Sequence, residues 1–484
     1  MRLLPALLLS TALVTQSAQA AEITHQGAQE IEQNFTKYLP EKLAKSGLIK
    51  VRPGTTDYEL TFDPTVLLKD VDPKVFTISG LQPWLALIRP MDDGLWQFNQ
   101  TADLDLKGQF TVGTETTDFS YKIDGMKADG TIDPDLLYFK SAKMSADKAS
   151  MTSKSPLQSV EATFGALTST LDAKRATPQT VDLRSNMVMN GFTETIIDPA
   201  KVKVDLSADN LTVDVAFNGL GYKPLQDLVF FVLDKMEKDK KELLATEQVE
   251  LKALVRANLP MFETLLESIE VANLKVGTPT GTFGAETLRY TIDTNGLRDQ
   301  AKVGFGITID KPSVPPGVIP EAFVSALPET MNTRISLENI NLASGITYFI
   351  DHADFNADKP LTDEQSTEVG RIFLPGGAMT IRYDDVSARS SIYDFSLSGT
   401  TTVYPDQPER QNTDITIYAK DFDKTVEYLQ KNAATVPQFG QAAFMLLMVK
   451  GLAKEGPDGR QMWNIVVDET KKVKINGQDL PFQP

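Results

Sequence analysis

Apolar and polar residues alternate over most of this chain, and a helical period interrupts the alternation in the same way twice. Residues 57–62, 102–107, 201–206 and 212–217 each set every second side chain on an apolar face, the spacing of strands with one side buried. Asp93-Gly94, Asp129-Gly130 and Ala208-Asp209-Asn210 read as turns between strands, the second joining 119–123 to 136–139. Such runs predict an extended antiparallel sheet.

After 212–217 the period becomes helical. Leu225, Leu228, Val229, Val232 and Met236 share a face that Phe230, Phe231 and Leu233 widen. Past a charged break at 237–242, a second helical run carries Leu251, Leu254, Val255, Leu259, Phe262, Leu265, Leu266 and Ile269, kinked at Pro260, with strand resuming at Val271. The pattern returns near the C-terminus. A strand at 413–418 leads to Asp421 as N-cap and to Phe422, Val426, Leu429 and Ala433 on one helical face. Val436-Pro437 breaks that helix, and a second starts near Gln438. Its run 444–449 is apolar on every side, so that helix must be buried or bound. Strands return at 463–467 and 472–475 around an Asp468-Glu469-Thr470 turn.

Elsewhere, residues 21–46 read as an entry helix divided near Pro40, with Ile31, Phe35, Tyr38 and Leu39 at helical spacing. Strands are expected at 288–292, 303–309 and 334–342, and a proline-rich loop with a helical turn at 312–328. Thr362-Asp363-Glu364-Gln365 has capping-box spacing and starts a helix to Phe373 that Gly376-Gly377 ends. Three strands, 379–383, 393–397 and 400–404, lead into the last helix pair. The expected fold is α+β and β-dominated, an extended antiparallel sheet covered by two apolar helix pairs. The expected divisions are a signal segment 1–20, a strand-rich module 21–276 ending in a helix pair, and a second such module 277–484.

Composition narrows the function. Arg2, the apolar run 3–14 and Ala18-Gln19-Ala20 describe a cleavable export signal with a mature start at Ala21, which places the chain in the periplasm. The run is short of the about 20 residues a membrane span needs, and Lys450 closes the later 439–449 stretch. There is no cysteine, so thiolate chemistry and disulfides are excluded. A formal charge of −17, with no clustered basic stripe, repels phosphate backbones and anionic membrane surfaces and argues against nucleic acid as a partner.

Catalytic motifs are weak. Of the two histidines, His25 sits near the mature terminus and His352 lies in Asp351-His352-Ala353-Asp354, read as a surface loop. Asp354, Asn356 and Asp358 match the first ligand positions of a calcium loop, but Lys359 stands where Gly is needed and Gln365 where Glu is needed. Ser145 and Lys148 have Ser-x-x-Lys spacing without the elements that accompany it. Asp92-Asp93 and Asp384-Asp385 are neighbours of the kind 65 acidic residues guarantee. No cofactor motif is present. The remaining candidates are physical: Phe230, Phe231, Phe444, Leu447 and Met448 exceed what one sheet contact requires. They are read either as buried against the sheet or as lining a groove for an acyl chain or a partner's helix.

Gly376-Gly377-Ala378-Met379-Thr380-Ile381, Asp394-Phe395-Ser396-Leu397-Ser398-Gly399-Thr400 and Lys474-Ile475-Asn476-Gly477 resemble, in that order, a family of Gram-negative periplasmic proteins known only as a domain of unknown function. The resemblance implies export and a β-rich fold and carries no activity. A fainter likeness of architecture is to envelope proteins whose long curved sheets conduct lipid between membranes. The function expected is a non-enzymatic periplasmic envelope protein binding an apolar ligand, a lipid, or another envelope protein. A hydrolase with an unrecognised carboxylate site and a purely structural interaction module are the alternatives.

Overall fold

The computed structural model describes residues 22–479, apart from residues 38, 70, 237–241 and 457–458. The signal segment with its Ala21 start, Tyr38 of the entry helix, and most of the 237–242 break lie outside the described residues. The chain starts with α1 (His25–Thr36), capped by the Thr24 hydroxyl, and a short α2 (Glu41–Lys45). Strands β1 (Ile49–Pro53), β2 (Tyr58–Phe62), β3 (Phe76–Ser79), β4 (Trp84–Pro90), β5 (Trp96–Val112) and β6 (Glu115–Asp133) follow. Next come β7 (Tyr138–Ala146), β8 (Lys148–Lys154), β9 (Ser159–Phe164), β10 (Leu167–Arg175), β11 (Val181–Ile197) and β12 (Lys203–Leu220). After α3 (Tyr222–Met236) and α4 (Ala245–Ala257) the ladder resumes with β13 (Thr264–Thr278), β14 (Gly281–Thr294) and β15 (Ala301–Asp310). A one-turn α5 (Glu321–Val324) precedes β16 (Thr330–Ile340), and α6 (Leu342–His352) and α7 (Asp363–Phe373) precede β17 (Met379–Arg389). The chain closes with β18 (Asp394–Val403), β19 (Gln411–Lys420), α8 (Phe422–Asn432), α9 (Pro437–Lys450), β20 (Lys454–Glu455), β21 (Gln461–Val467), β22 (Val473–Ile475) and β23 (Gln478–Asp479).

All these strands form one antiparallel sheet. From β11 to β19 each strand pairs with the next in sequence, as a meander. Towards the N-terminus single long strands face two short ones: β3 and β4 on β5, β7 and β8 on β6, β9 and β10 on β11. β13 and β14 pair across the expected module boundary, with Thr278 opposite Gly281, so the ladder continues through it.

Register sets one apolar face. Val213 stands opposite Ile269, Ile269 opposite Tyr290, and Tyr290 opposite Ile307. Further along, Val386 faces Leu397, Leu397 faces Ile417, and Ile417 faces Trp463. At one end α1 lays Ala28 and Ile31 on Val51, Ile88, Trp96 and Ile132. At the other, α8 and α9 cover Ile417, Trp463 and Ile475. Between them Val213, Ile269, Tyr290, Val386 and Leu397 are only half-buried and Ile307 is exposed. The chain exposes 29179 Å² in all, against about 18,000 Å² for a compact chain of this mass.

The helix pairs depart from expectation in number and place. There are three among the described residues, because α6 joins α7: the strand expected at 334–342 ends at Ile340, and Leu342–His352 is helix up to the segment expected as a loop. The pairs α3–α4 and α6–α7 follow the ends of β12 and β16, which register places on one side of the sheet. The pair α8–α9 follows β19 at the opposite side.

Several boundaries also moved. α4 ends at Ala257, short of Pro260, so Leu265, Leu266 and Ile269 belong to β13; proline disfavours helix in the residue before it. Asp129-Gly130 lies inside β6. Gly130 is there because a Cβ would meet Ser141 O at 2.2 Å, a close approach of β7 and not a turn. Ala208-Asp209-Asn210 lies inside β12, opposite the left-handed Gly191 (φ 61) and Asn273 (φ 53) of its neighbours, where the ladders are irregular. Residues 393–397 and 400–404 are one strand, β18. Asp93-Gly94, Asp468–Thr470 and the Thr362 capping box stand as expected. Asp421 occupies the N-cap position but makes no side-chain cap.

Ile88 is fully buried beneath α1. Ile88→Ala should cost about 3 kcal/mol, read as a lower urea midpoint, with the loss of hydrogen-exchange protection concentrated in α1 and β1–β5.

Candidate functional site

The pair α8–α9 does not close on the sheet completely. Alternation along β19 points Ile417 and Ala419 to the apolar face, β21 adds Trp463 and Ile465, and β22 adds Ile475. Over them α8 brings Phe422 and Thr425, and α9 brings Leu446 and Val449. Together they surround a groove of about 390 Å³ with an almost wholly apolar lining. That volume lies in the range of small-molecule sites. Phe395, 40% exposed, stands on its rim with Tyr393, Asp394 and Lys420.

The frame around the groove is tied by polar contacts between its elements. The Trp463 indole N–H donates to Val449 O at 2.8 Å, and its ring packs on Phe422 at 5.3 Å. The Asn476 amide donates to Leu452 O at 2.7 Å, while its carbonyl accepts from the Asn464 N–H. An ion pair joins Lys450 of α9 to Asp423 of α8. On the far side Phe439 packs edge-on to Phe323 of α5 at 4.8 Å, and the Tyr428 hydroxyl donates to Ala322 O.

The residues singled out by sequence sit elsewhere. Phe444, Leu447 and Met448 are 64%, 45% and 60% exposed and face away from the groove. Their neighbours Leu446 and Val449 line it instead. A helix apolar all round gives no period from which to choose a face, so the 444–449 run could not be resolved. A signal was present: Phe439, Ala443 and Leu446 recur at helical spacing, and the small Ala443 marks the side that packs closely. On the other pair Phe231 is buried, with Lys235 Nζ 5.2 Å from its ring centroid, and Phe230 is half-buried. Contacts tying α3 to the sheet come from its first turns: Tyr222 packs on Tyr138 and donates to Leu137 O, and Gln226 donates to Leu136 O.

The polar candidates resolve into structural contacts. His352 ends α6 and is not in a loop; it stacks on Tyr348 at 4.1 Å, with Nδ1 2.9 Å from Tyr348 O. Asp351 pairs with Arg256 of α4. Asp354 accepts from Gln248, and Asn356 both accepts from Leu243 N–H and donates to Leu243 O. The segment that resembled a calcium loop therefore laces α6 to α4. Among the described residues no cluster of three or more metal-ligating side chains occurs. His25 opens α1 and is exposed; Ser145 lies in β7 and Lys148 starts β8.

One ionic network missed by sequence stands on the polar face of the sheet. Arg382 of β17 grips both oxygens of Glu338 of β16 at 2.8 Å, Lys302 of β15 approaches Glu338 and Asp384 at 3.7 Å, and the buried Ser336 hydroxyl donates to Asp384. The Arg382 guanidinium, through its hydrogen bonds first and its charge after, holds the Glu338 carboxyl below its ordinary value despite partial burial. A carboxylate kept ionised this way is a poor general acid. Comparison adds no chemistry: no known protein family, curated protein or solved structure matches this chain. The resemblance to the exported family rests on its quoted residues alone.

Because the folded-state pKa of Glu338 is depressed, its contribution to stability is complete above the unfolded value and is lost as pH falls through the folded one. Glu338→Gln should lower stability by about 1 kcal/mol at neutral pH. The gap to wild type should close below pH 4.5, as read by urea denaturation across pH.

Proposed function

We propose that this chain is an exported, non-enzymatic envelope protein that holds the acyl chain of a lipid between α8–α9 and the sheet. The observation that carries the reading is the groove itself: a largely apolar pocket formed by Ile417, Ala419, Phe422, Leu446, Val449 and Trp463, with Asp394 and Lys420 as the charged residues of its lining. A cavity lined this way recognises hydrocarbon and little else, since a polar ligand group would lose its water without gaining a partner. Beyond the rim the half-exposed apolar residues of β12–β18 continue the same surface, which gives a chain longer than the pocket somewhere to lie.

The hydrolase alternative finds less support. The carboxylates of Glu338 and Asp384 are engaged by Arg382, Lys302 and Ser336 on the face opposite the groove. A purely structural module would leave the groove empty.

Native mass spectrometry of the protein purified without detergent should show adducts of fatty-acid or phospholipid mass, and a fluorescent fatty acid should bind with saturation. Ala419→Trp places an indole in the cavity and should weaken that binding at least about tenfold, with secondary structure unchanged by circular dichroism. An adduct-free mass and no saturable binding by the wild type would turn the reading to the structural module.

A further inference from the structure

We propose that the outer face of α9 docks this protein on an anionic lipid surface. Phe444, Met445, Leu447 and Met448 stand 64%, 61%, 45% and 60% exposed on one short helix. Four large apolar side chains together in solvent mark an interaction surface and are not the scattered single exposures that any protein carries. Phenylalanine and methionine also suit an irregular, fluid partner, because the thioether chain conforms to whatever it meets.

Charge selects the partner. From residue 428 to residue 454 the chain carries no Asp or Glu, and no other stretch of the sequence runs so long without one. The same stretch holds Lys431, Lys454, whose Nζ donates to Asn476 O, and Lys450, which is paired with Asp423 of α8. The whole chain has 65 acidic residues and a formal charge of −17, so an anionic bilayer repels most of its surface. The acid-free stretch is where an anionic bilayer would meet least repulsion, and the apolar side chains of α9 would then enter the interface as those of a surface-lying helix do. A second copy meeting this face through its own α9 would bring the same lysines and none of the acids, so like charges would meet, which favours the anionic lipid surface as occupant.

The position of the helix gives the docking a purpose. The opposite side of α9, through Leu446 and Val449, lines the apolar groove, so one helix would touch the membrane outside and the bound chain inside. The lipid surface is then the source or destination of the acyl chain. That purpose rests on the groove reading; the docking itself does not.

Flotation with vesicles of phosphatidylethanolamine and phosphatidylglycerol tests the docking. The wild type should float with them and should float less with phosphatidylcholine alone. The double variant F444E/M448E alters only exposed positions, so it should fold, retain fluorescent fatty-acid binding, and lose at least about tenfold in floated fraction. Ala419→Trp should do the reverse, floating like the wild type while losing the fatty acid. Equal flotation of F444E/M448E and wild type overturns the proposal. So does a concentration-dependent dimer of the wild type that F444E/M448E abolishes in analytical ultracentrifugation, which would give the face to a second copy. Flotation that depends on Phe444 and Met448 in a protein that binds no fatty acid would keep the docking and remove the groove reading.

Discussion

Antiparallel pairing runs without interruption from β1 to β23, and in each strand successive side chains alternate between the two faces. An apolar face of that size needs an equally large cover, and among the described residues there is none: no second sheet lies against it. The helices cover its ends. α1 seals the N-terminal end over Ile88 and Trp96, and α8–α9 roof the C-terminal end over Ile417 and Trp463. Between them the face stays half-wet. This imbalance between apolar area made and apolar area covered underlies every functional reading of the molecule, because the uncovered part is where hydrocarbon would gain most by binding.

The opposite face solves its own problem with polar ladders. Thr163 and Thr193, Asn186 and Asp214, and Asn464 and Asp414 bond across neighbouring strands. The Glu338–Arg382 network belongs to the same series, at a place where Ser336 is buried by its neighbours. Charge on this face keeps a very long sheet soluble and discourages stacking of one copy on another. Its ion pairs are largely exposed and contribute little stability each, so their value lies in keeping one side of the sheet unavailable.

Alternation made the strands legible from sequence, and with them the β-dominated class. Their ends were less so. Polar or glycine-containing runs such as Asp129-Gly130 and Ala208-Asp209-Asn210 carry the chemistry of turns. In strands of 19 and 18 residues the same chemistry serves close approach and bulges, which relieve the twist that accumulates in long ladders. Leu265, Leu266 and Ile269 fit a helix and a strand equally, and Pro260 decided between them. Residues 342–352 hid a helix because Asn341 makes no side-chain cap and Asp351-His352-Ala353-Asp354 reads as loop. For the site, the sequence identified the helix and missed the face.

That last failure has a physical content of its own. A helix whose inner side must meet a sheet needs apolar residues there, and α9 supplies Phe439, Ala443, Leu446 and Val449. Solubility would favour a polar outer side, as α8 has with Asp423, Lys424, Glu427 and Lys431. Instead the outer side of α9 is Phe444, Met445, Leu447 and Met448, while the acids that populate the rest of the chain stop at Glu427 and resume at Glu455. Stability of the fold does not require the exposed hydrophobics, which lie outside the packed cluster, whereas the acid-free run also includes packed residues such as Phe439, Ala443 and Leu446. The proposed docking on an apolar, anionic surface would give the exposed side chains a contact the isolated molecule does not make.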